Sequence, residues 1–389
     1  MPKRLLSLVA AVVVSLFPTC RVAGAALSDD WIWRTEVVDV VPPGTYLGDV
    51  SLALDSQDQA HIGYYESRPL PYHFGGWCSV RYAHQIGPQG WSTETVTPAA
   101  GANLGSWGSL SLAPDPDNSP HFAYWRPYTL EYARLDGATW LTHTVDSLGG
   151  GFIWPVIAVD STFTPHIAYS VGYSVGIRYA TMEAGVWGVQ ELPAVWGGQQ
   201  PLAGLALDTT DSPHIVFFDA DPTAETLTYF YAVRDGAVWN TEVITVTSWD
   251  WGAAFALGPA DAPYLVYRQP NSIVLAVRET SGWSFTDVGV AGSPRTLSLV
   301  VADDGTPHIS GHNAEGLVYV YRDGDGWHSE VVVPAAGLWS GSSIGIDSSS
   351  RLHIAYMVAD DHNSGVVLKH AVRTFAPYHA HLPLVMRLD

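Results

Sequence analysis

The sequence repeats one segment of four short, strand-like runs seven times. In the copy Ser109–Val145, an alternating apolar run ends at Asp115, a second run opens with Pro120 and His121, and a fourth run begins at Trp140. Period-two alternation, with Gly, Pro, Asp and Asn between the runs, is typical of strands joined by tight turns. Such units must stack on one another, because a single unit cannot bury both of its faces.

The repeat recurs at steps of 44 to 60 residues. We place the end of the first run, in chain order, at Asp55, Asp115, Asp160, Asp208, Gly258, Asp303 and Asp347. The second-run histidine is His61, His121, His166, His214, His308 and His353, with Tyr264 in the fifth copy. The fourth-run tryptophan is Trp91, Trp140, Trp187, Trp239, Trp283 and Trp327. Four strands per unit at this period predict an all-β, seven-bladed β-propeller of four-stranded blades.

The seventh copy lacks a fourth run of its own. No Gly-x-Trp-x-x-Glu-x-Val segment follows His370, whereas Trp33–Val38 near the N-terminus has the same pattern as Trp239–Ile244. We therefore predict that the N-terminal strand completes the last blade and closes the ring. Closure would remove the open sheet edges that invite aggregation.

Both ends of the chain depart from the repeat. Residues 1–25 have the features of a secretory signal peptide, with a charged start, an apolar run over residues 5–17 and a small-residue cleavage site at Ala23-Gly24-Ala25. The residues before Cys20 do not favour a lipid anchor there. We expect a signal peptide (1–25), one propeller domain (26–373) and a C-terminal tail (374–389) that is either a sorting tag or an extra strand. The expected location is secreted, with no membrane span.

Charge and cysteine content narrow the possible partners. Removing residues 1–25 takes away Lys3, Arg4 and Arg21 but no acid, so the formal net charge moves from −20 to −23. A surface of this sign repels nucleic acid and anionic membranes. Cys78 is then the only cysteine, so no disulfide can form within the chain. We expect a monomer whose partner is a carbohydrate or an extracellular protein.

Residues shared by nearly all copies are expected to serve the scaffold. We predict that the six Pro-His histidines bond the turn that starts at the preceding Asp, and that the Asp-Gly pairs at 136–137, 235–236 and 323–324 form hairpin turns. Asp115–Asn118 and Asp323–Asp325 have oxygen ligands at calcium-like spacing, but no bidentate Glu follows either segment. We expect no cofactor, with calcium as the alternative.

The turn before the fourth run resembles a known motif. Asp136-Gly137-Ala138-Thr139-Trp140 and its relatives resemble the Asp-box (BNR) repeats of sialidase-like propellers, which carry Ser-x-Asp-x-Gly-x-Thr-Trp between the third and fourth strands. Here the spacing is one residue shorter and the leading Ser is missing. The resemblance covers the repeat region and implies a propeller of an exported bacterial type. It carries no sialidase catalytic residue over to this chain.

Side chains that differ between copies are the candidates for function. In a propeller of this strand order, the connections from second to third strand, and from fourth strand to the next first strand, lie on one face. These connections carry Tyr46, Arg68, Trp77, Trp107, Arg126, Trp154, Trp196, Trp249, Trp251, Arg268, Arg295 and Trp339. Exposed indole rings can stack on sugar rings, and guanidinium groups bind carboxylate or sulfate. Packing between blades and ordinary surface ion pairing are the alternatives.

Two functional hypotheses follow. The first is a non-catalytic, lectin-like module that binds carbohydrate through the aromatic-lined face. The second is a polysaccharide lyase or glycosidase acting on an anionic glycan, with Arg126, Tyr128, His73 and His312 as candidate catalytic residues. A protein-interaction scaffold is a third possibility, since fold alone does not define function. The similar lengths of the seven copies favour the binding module.

Overall fold

The computed structural model describes residues 31–69, 76–87, 90–104, 109–126, 128–147, 154–170, 176–193, 202–289, 295–335, 338–359 and 365–375. Within these ranges the chain forms seven antiparallel sheets of four strands and one short 3₁₀ helix, Pro259–Asp261. The predicted seven-bladed propeller is thereby confirmed, and the compact unit Trp33–Thr374 contains it. The predicted signal peptide and tail positions 376–389 lie outside the described residues. Among the described residues, no helix combines the length and apolar character that a membrane crossing requires.

Blades 1 to 6 follow one another along the chain, each as a simple meander, and blade 7 combines strands from both ends of the propeller sequence. Blade 1 consists of β2 (Tyr46–Leu54), β3 (Ala60–Pro69), β4 (Gly76–Gln85) and β5 (Trp91–Leu104). Blade 2 consists of β6 (Leu110–Pro114), β7 (Pro120–Arg126), β8 (Thr129–Asp136) and β9 (Thr139–Ser147). Blade 3 consists of β10 (Pro155–Val159), β11 (Pro165–Ser170), β12 (Ile177–Glu183) and β13 (Val186–Glu191). Blade 4 consists of β14 (Leu202–Leu207), β15 (Pro213–Asp221), β16 (Thr226–Asp235) and β17 (Val238–Ser248).

The remaining blades include the one that closes the ring. Blade 5 consists of β18 (Ala253–Leu257), β19 (Pro263–Gln269), β20 (Ser272–Glu279) and β21 (Gly282–Asp287). Blade 6 consists of β22 (Arg295–Val301), β23 (Pro307–His312), β24 (Gly316–Asp323) and β25 (Gly326–Pro334). Blade 7 consists of β26 (Leu338–Ile346), β27 (Leu352–Ala359), β28 (Val366–Phe375) and β1 (Trp31–Val40), in that order. The predicted closure by the N-terminal strand is confirmed.

Closure by a separate strand leaves blade 7 without a hairpin between its third and fourth strands. In blade 2 the corresponding turn is Gly137-Ala138, where Gly137 adopts a φ of 62° that favours glycine. At the seam between blades 7 and 1 there is instead a cavity of about 1020 Å³. Its lining includes Arg34, Glu36, Gln85 and His353. The polar groups of the closing strand therefore border a large opening.

A hydrogen-bonded Asp–His–Tyr trio joins three strands in each of blades 1 to 4. In blade 2, His121 Nε2 lies 3.2 Å from Asp115 Oδ2, and His121 Nδ1 lies 2.8 Å from the Tyr132 hydroxyl. Asp115 Oδ1 accepts the backbone N–H groups of Asp117 and Ser119 and so fixes the turn. The equivalent trios are Asp55–His61–Tyr82, Asp160–His166–Tyr179 and Asp208–His214–Tyr231. The histidines act on the turn through the Asp carboxylate, as scaffold residues.

Blades 5 and 6 depart from the trio, and blade 6 also corrects the predicted register. Asp303 does not end the first strand of blade 6; Ala302 does, because its N–H bonds the Thr306 carbonyl just as Asp55 N–H bonds Gln59. His308 therefore has no carboxylate six residues before it. In blade 5 the two positions are Gly258 and Tyr264, and a Cβ at Gly258 would lie 2.5 Å from the tyrosine ring. The larger ring thus requires glycine at the position of the Asp.

The fourth-strand tryptophan of a blade packs against the tyrosine of the preceding blade. Trp187 lies edge-on to Tyr132 with ring centroids 5.1 Å apart, and Trp239 lies edge-on to Tyr179 at 5.2 Å. The same contact joins Trp140 to Tyr82, Trp283 to Tyr231, Trp33 to Tyr319, and Trp91 to His370. Edge-to-face pairs contribute about 0.5–1.5 kcal/mol beyond buried area. The repeated aromatic residues of the third and fourth strands therefore hold neighbouring blades together.

Turns between first and second strands bond from blade to blade on the opposite end of the propeller from the candidate site. The N–H and Oγ of Ser161 in blade 3 bond the carboxylate of Asp211 in blade 4. Ser348–Asp58, Ser56–Asn118 and Thr209–Asp261 make the corresponding bonds at three other junctions. At the junction of blades 2 and 3, Pro116, which has no N–H, occupies the donor position and Phe163 the acceptor position. At four of these five junctions a hydrogen-bond donor thus meets an acceptor, and at the fifth neither residue takes part in such a bond.

We expect Tyr132→Phe to lower the free energy of unfolding by about 1–2 kcal/mol, because it removes the donor to a buried histidine nitrogen. Tyr124→Phe is the matched control: this buried hydroxyl has no hydrogen-bond partner among the described residues. Its loss should change stability by less than about 0.5 kcal/mol. Urea unfolding followed by tryptophan fluorescence measures both. Equal losses in the two variants would contradict a stabilising role for the Tyr132–His121 bond.

Candidate functional site

The candidate site lies on the end of the propeller that we call the upper face. It carries the connections from second to third strand within a blade and from fourth strand to the next first strand. His73, Trp107 and Trp196 lie outside the described residues. The structure describes only the backbone of Tyr46, Arg68, Trp77, Arg295 and Trp339. These eight residues remain predictions.

Strand pairing brings some of these positions together. Arg68 on β3 is the cross-strand partner of Trp77 on β4, and Arg295 on β22 is the partner of His312 on β23. Each pair puts an arginine beside an aromatic or imidazole residue at the upper end of a blade. The pairs belong to blades 1 and 6, which are separated by blade 7. The two pairs therefore belong to two separate regions of the upper face.

Exposed aromatic rings follow one another around blades 2 to 5 of the upper face. Tyr128, in the connection between β7 and β8, is 63% exposed, and Trp154, directly before β10, is 43% exposed. Trp249, directly after β17, is 38% exposed. This exposure contrasts with the tyrosines of the blade interiors, which are fully buried. The upper face thus presents an arc of flat apolar rings to solvent.

Trp249 stands on a loop that is fixed by several contacts. Its N–H donates to the carbonyl of Glu225 in the neighbouring connection at 3.0 Å. Its ring contacts the half-buried Trp251 edge-on, with centroids 5.8 Å apart, and Trp251 packs edge-on against Phe218 at 5.5 Å. A Cβ at Gly252 would lie 2.6 Å from Cδ of Arg268, so the loop needs glycine there. The exposed ring is therefore held in place by a packed base.

Arg268 is one of the arginines predicted to bind an anionic ligand, and the structure shows it engaged. Its Nη1 lies 2.6 Å from Asp250 Oδ1 and donates to the Trp251 carbonyl at 3.0 Å. Its side chain is 13% exposed. The guanidinium thus ties the loop to β19, and its charge is compensated. Arg126, by contrast, is half-buried and has no hydrogen bond or ion pair to another described residue.

Two ionisable groups of the upper face have shifted pKa values. Burial lowers the pKa of His312, whose Nε2 has no hydrogen-bond partner among the described residues. Burial raises the pKa of Asp49 to about 6, although Ser109 and two backbone N–H groups bond its carboxylate. The sequence patterns did not single out Asp49. The strand register shows that Ser109 in blade 2 and Trp154 in blade 3 occupy the position equivalent to Asp49 in blade 1. An acidic residue that the other blades do not repeat was the signal that could have identified Asp49.

The segments with calcium-like spacing use their oxygen atoms within the fold. Asp115 binds His121 and its own turn, and Asn118 Oδ1 accepts the N–H of Ser56. Asp323 Oδ1 accepts the N–H of Asp325 and bonds His328 Nε2 at 2.7 Å. Among the described residues, no three His, Cys, Asp or Glu side chains are grouped as a metal ion would require.

Comparisons with known proteins identify similar folds and no family. No protein-family model matches the sequence, and no curated protein matches it. The polysaccharide lyase Uly1 has a similar structure, with a TM-score of 0.55 and 10% identity over 84% of this chain and 90% of that one. A Dyadobacter fermentans protein of unknown function has a TM-score of 0.53 and 10% identity, covering 88% of this chain and 99% of that one. The NanB sialidase of Streptococcus pneumoniae has a TM-score of 0.48 and 11% identity, covering 87% and 70%. At these identities the first two likenesses show the fold alone.

Proposed function

We propose that this protein binds carbohydrate without transforming it, through the arc of aromatic rings on the upper face. The exposure of Tyr128, Trp154 and Trp249 on that face is the observation that carries the proposal. Exposed rings on water-facing loops lose apolar contact with solvent when a sugar ring stacks on them. The rings stand on blade 2, between blades 2 and 3, and between blades 4 and 5, so a long glycan can contact more than one of them at once. Each stacking contact contributes about 1 kcal/mol, so single sites would be weak and joint binding stronger.

The similar structure of another protein gives a second support to the glycan-binding part of this proposal. Uly1 is named as a polysaccharide lyase, so a propeller of this general form acts on a glycan. Fold likeness does not transfer an activity, and the proposal therefore depends on the exposed rings of this chain. A secreted protein, as residues 1–25 predict, would meet such glycans outside the cell.

One observation favours a second candidate, a lyase acting on an anionic glycan. Arg126 has no ion-pair partner among the described residues, and the exposed Tyr128 lies two residues further along the chain. A lyase needs a cation to neutralise a uronate and a group that takes up a proton. These two residues provide both kinds of group on one connection. Binding alone requires neither, which makes product formation the distinguishing measurement.

We expect Trp154→Ala and Trp249→Ala each to weaken retention on an insoluble or immobilised glycan about fivefold, the equivalent of one lost stacking contact. Phe163→Ala is the matched control, because Phe163 is a 46% exposed aromatic residue on the opposite end of the propeller. Neutral, amino, sulfated, sialylated and uronate glycans are compared by affinity electrophoresis. Unsaturated products are followed in the same samples by ultraviolet absorbance.

Three outcomes separate the candidates. Retention without product, weakened in the two tryptophan variants and unchanged in the control, supports the binding module. Unsaturated product that disappears in Arg126→Ala or Tyr128→Phe replaces it with the lyase. No retention on any glycan contradicts both and leaves a protein partner as the remaining hypothesis.

A further inference from the structure

We propose that the part of the upper face around Trp249 recognises an amino sugar, a glycan whose hexosamine units carry free, positively charged amines. This inference rests on the proposed carbohydrate binding and names its substrate class. The site consists of the connection Asp219–Glu225 in blade 4, the loop Ser248–Gly252 between blades 4 and 5, and Arg268 of blade 5. We call it the Trp249 site.

The charge of the Trp249 site is negative. Residues 219–225 and 248–252 contain the exposed carboxylates of Asp221 and Glu225, the partly buried Asp250 and the buried Asp219, and the guanidinium of Arg268 is the single cation of the site. Arg268 is already bound to Asp250 at 2.6 Å and is nearly buried, so its charge is cancelled locally. Asp221 and Glu225 are exposed beside the ring-bearing loop. Asp221 accepts the N–H groups of Thr223 and Ala224, and neither carboxylate pairs with a cation among the described residues. An anionic glycan would be repelled by these carboxylates, whereas an ammonium group would be attracted to them.

The geometry joins these carboxylates to a ring that can stack on a sugar. The backbone N–H of Trp249 donates to the backbone carbonyl of Glu225, so the two residues that carry the exposed indole and an exposed carboxylate are adjacent in the fold. An indole face also attracts a cation within about 6 Å of its centroid. A protonated hexosamine offers both partners at once, an apolar sugar face for the ring and an ammonium group for the carboxylates. A neutral sugar offers only the apolar face for the ring. A uronate offers that face too, but its own carboxylate is repelled by the carboxylates of the site.

A buried hydroxyl without a hydrogen-bond partner in the described part of the chain lies near the packed base of the site. Tyr229 is fully buried and stacks near Phe218, which in turn packs against Trp251. Its hydroxyl has no hydrogen-bond partner among the described residues. Burial raises its pKa, Tyr267 and Asp250 raise it further, and the positive charge of Arg268 acts in the opposite direction. A buried hydroxyl normally has a hydrogen-bond partner, and here it lies within the electrostatic reach of the site's ion pair.

The test compares four oligosaccharides of equal length: a glucosamine oligomer, its fully N-acetylated form, a cello-oligosaccharide and an oligogalacturonate. Isothermal titration calorimetry on the full-length protein gives the affinity for each. We expect the glucosamine oligomer to bind about tenfold more tightly than the acetylated or neutral oligomers, and the galacturonate to bind most weakly. Raising the salt to about 0.5 M should remove most of this difference, because the attraction is screened.

Two variants distinguish a defined site from general attraction to an acidic protein. Trp249→Ala should lower affinity for all sugars that bind, with Phe163→Ala unchanged. Glu225→Gln removes an exposed carboxylate that has no side-chain bond to another described residue. It should lower affinity for the glucosamine oligomer about threefold and leave the neutral oligomers unchanged. These results together support the Trp249 site.

Three other results would overturn the amino-sugar inference. Galacturonate binding as tightly as glucosamine overturns the amino-sugar inference and leaves carbohydrate binding in place. Glucosamine binding that is unaffected by Trp249→Ala shows diffuse charge attraction and also overturns the inference. Binding of none of the four oligomers contradicts this inference, and the wider glycan panel then decides the proposed function separately.

Discussion

Acidification from neutral pH to about 4 is expected to destabilise the propeller strongly, because several histidines are buried in their neutral form. Burial lowers the pKa of His61 and His121, and it lowers the pKa of His308 and His353 to about 4. In an unfolded chain a histidine titrates near about 6.5. The unfolded chain therefore takes up protons that the folded chain does not, so the stability is fully present above about pH 6.5 and is lost as the pH falls towards 4.

His308 provides the clearest test, because it lacks the carboxylate that the other copies have. Its shift to about 4 corresponds to about 3 kcal/mol of stability that is lost over this pH range. Ala302→Gly combined with His308→Tyr copies the arrangement of Gly258 and Tyr264 in blade 5. Urea unfolding at a series of pH values should show a pH dependence smaller by that amount in the double variant. Parallel curves for the two proteins would show that His308 does not titrate as a buried neutral group.

Loss of the Glu36 carboxylate is expected to loosen the strand that closes the ring. In blade 7 a histidine replaces the tyrosine of the trio: His353 Nε2 lies 3.2 Å from Asp347, His353 Nδ1 lies 3.0 Å from His370 Nε2, and His370 Nδ1 lies 2.9 Å from Glu36 on β1. His370 is fully buried, and its bond to the partly exposed Glu36 joins β28 to β1. This contact also lowers the pKa of Glu36.

We expect Glu36→Ala to lower the free energy of unfolding by about 1.5–3 kcal/mol, the range for a hydrogen bond to a charged group. Amide hydrogens of β1 should exchange faster than those of other outer strands, because the opening is local. His370→Tyr restores the arrangement of blades 1 to 4 and is expected to be tolerated. In that background the effect of Glu36→Ala should nearly vanish, which a double-mutant cycle measures. An equal cost in both backgrounds would show that Glu36 stabilises β1 through other contacts.

The repeat pattern predicted the architecture because its signals are local in the chain. Strand alternation, the turn residues and the displaced Trp33–Val38 segment each lie within a few residues, and together they determine blade number and closure. The error at Asp303 arose from taking the nearest acid as the equivalent of Asp55 and Asp115. The constant separation of six residues between the Asp and the His points instead to Ala302.

The candidate site was less predictable because its decisive contacts join distant parts of the chain. Asp250 and Arg268 belong to different connections, and nothing in the local sequence indicates that one neutralises the other. The sequence also did not distinguish Trp249, which is exposed, from Trp251, which is half-buried two residues later. Trp251 is half-buried because the ring of Phe218, a residue distant in sequence, packs against its indole.

The matched turns at the blade junctions limit the order in which the blades can be assembled. Ser161 and Thr209 need an acceptor in the next blade, whereas Pro116 needs none and faces Phe163. At the junction of blades 5 and 6, Pro259 likewise occupies the donor position, and Gly305, which has no side chain to accept a bond, occupies the acceptor position. Exchanging two whole blades would set donors against Phe or Gly and carboxylates against Pro. Each blade thus carries information about its neighbour, and recombination between the repeats would be selected against although their individual folds are the same.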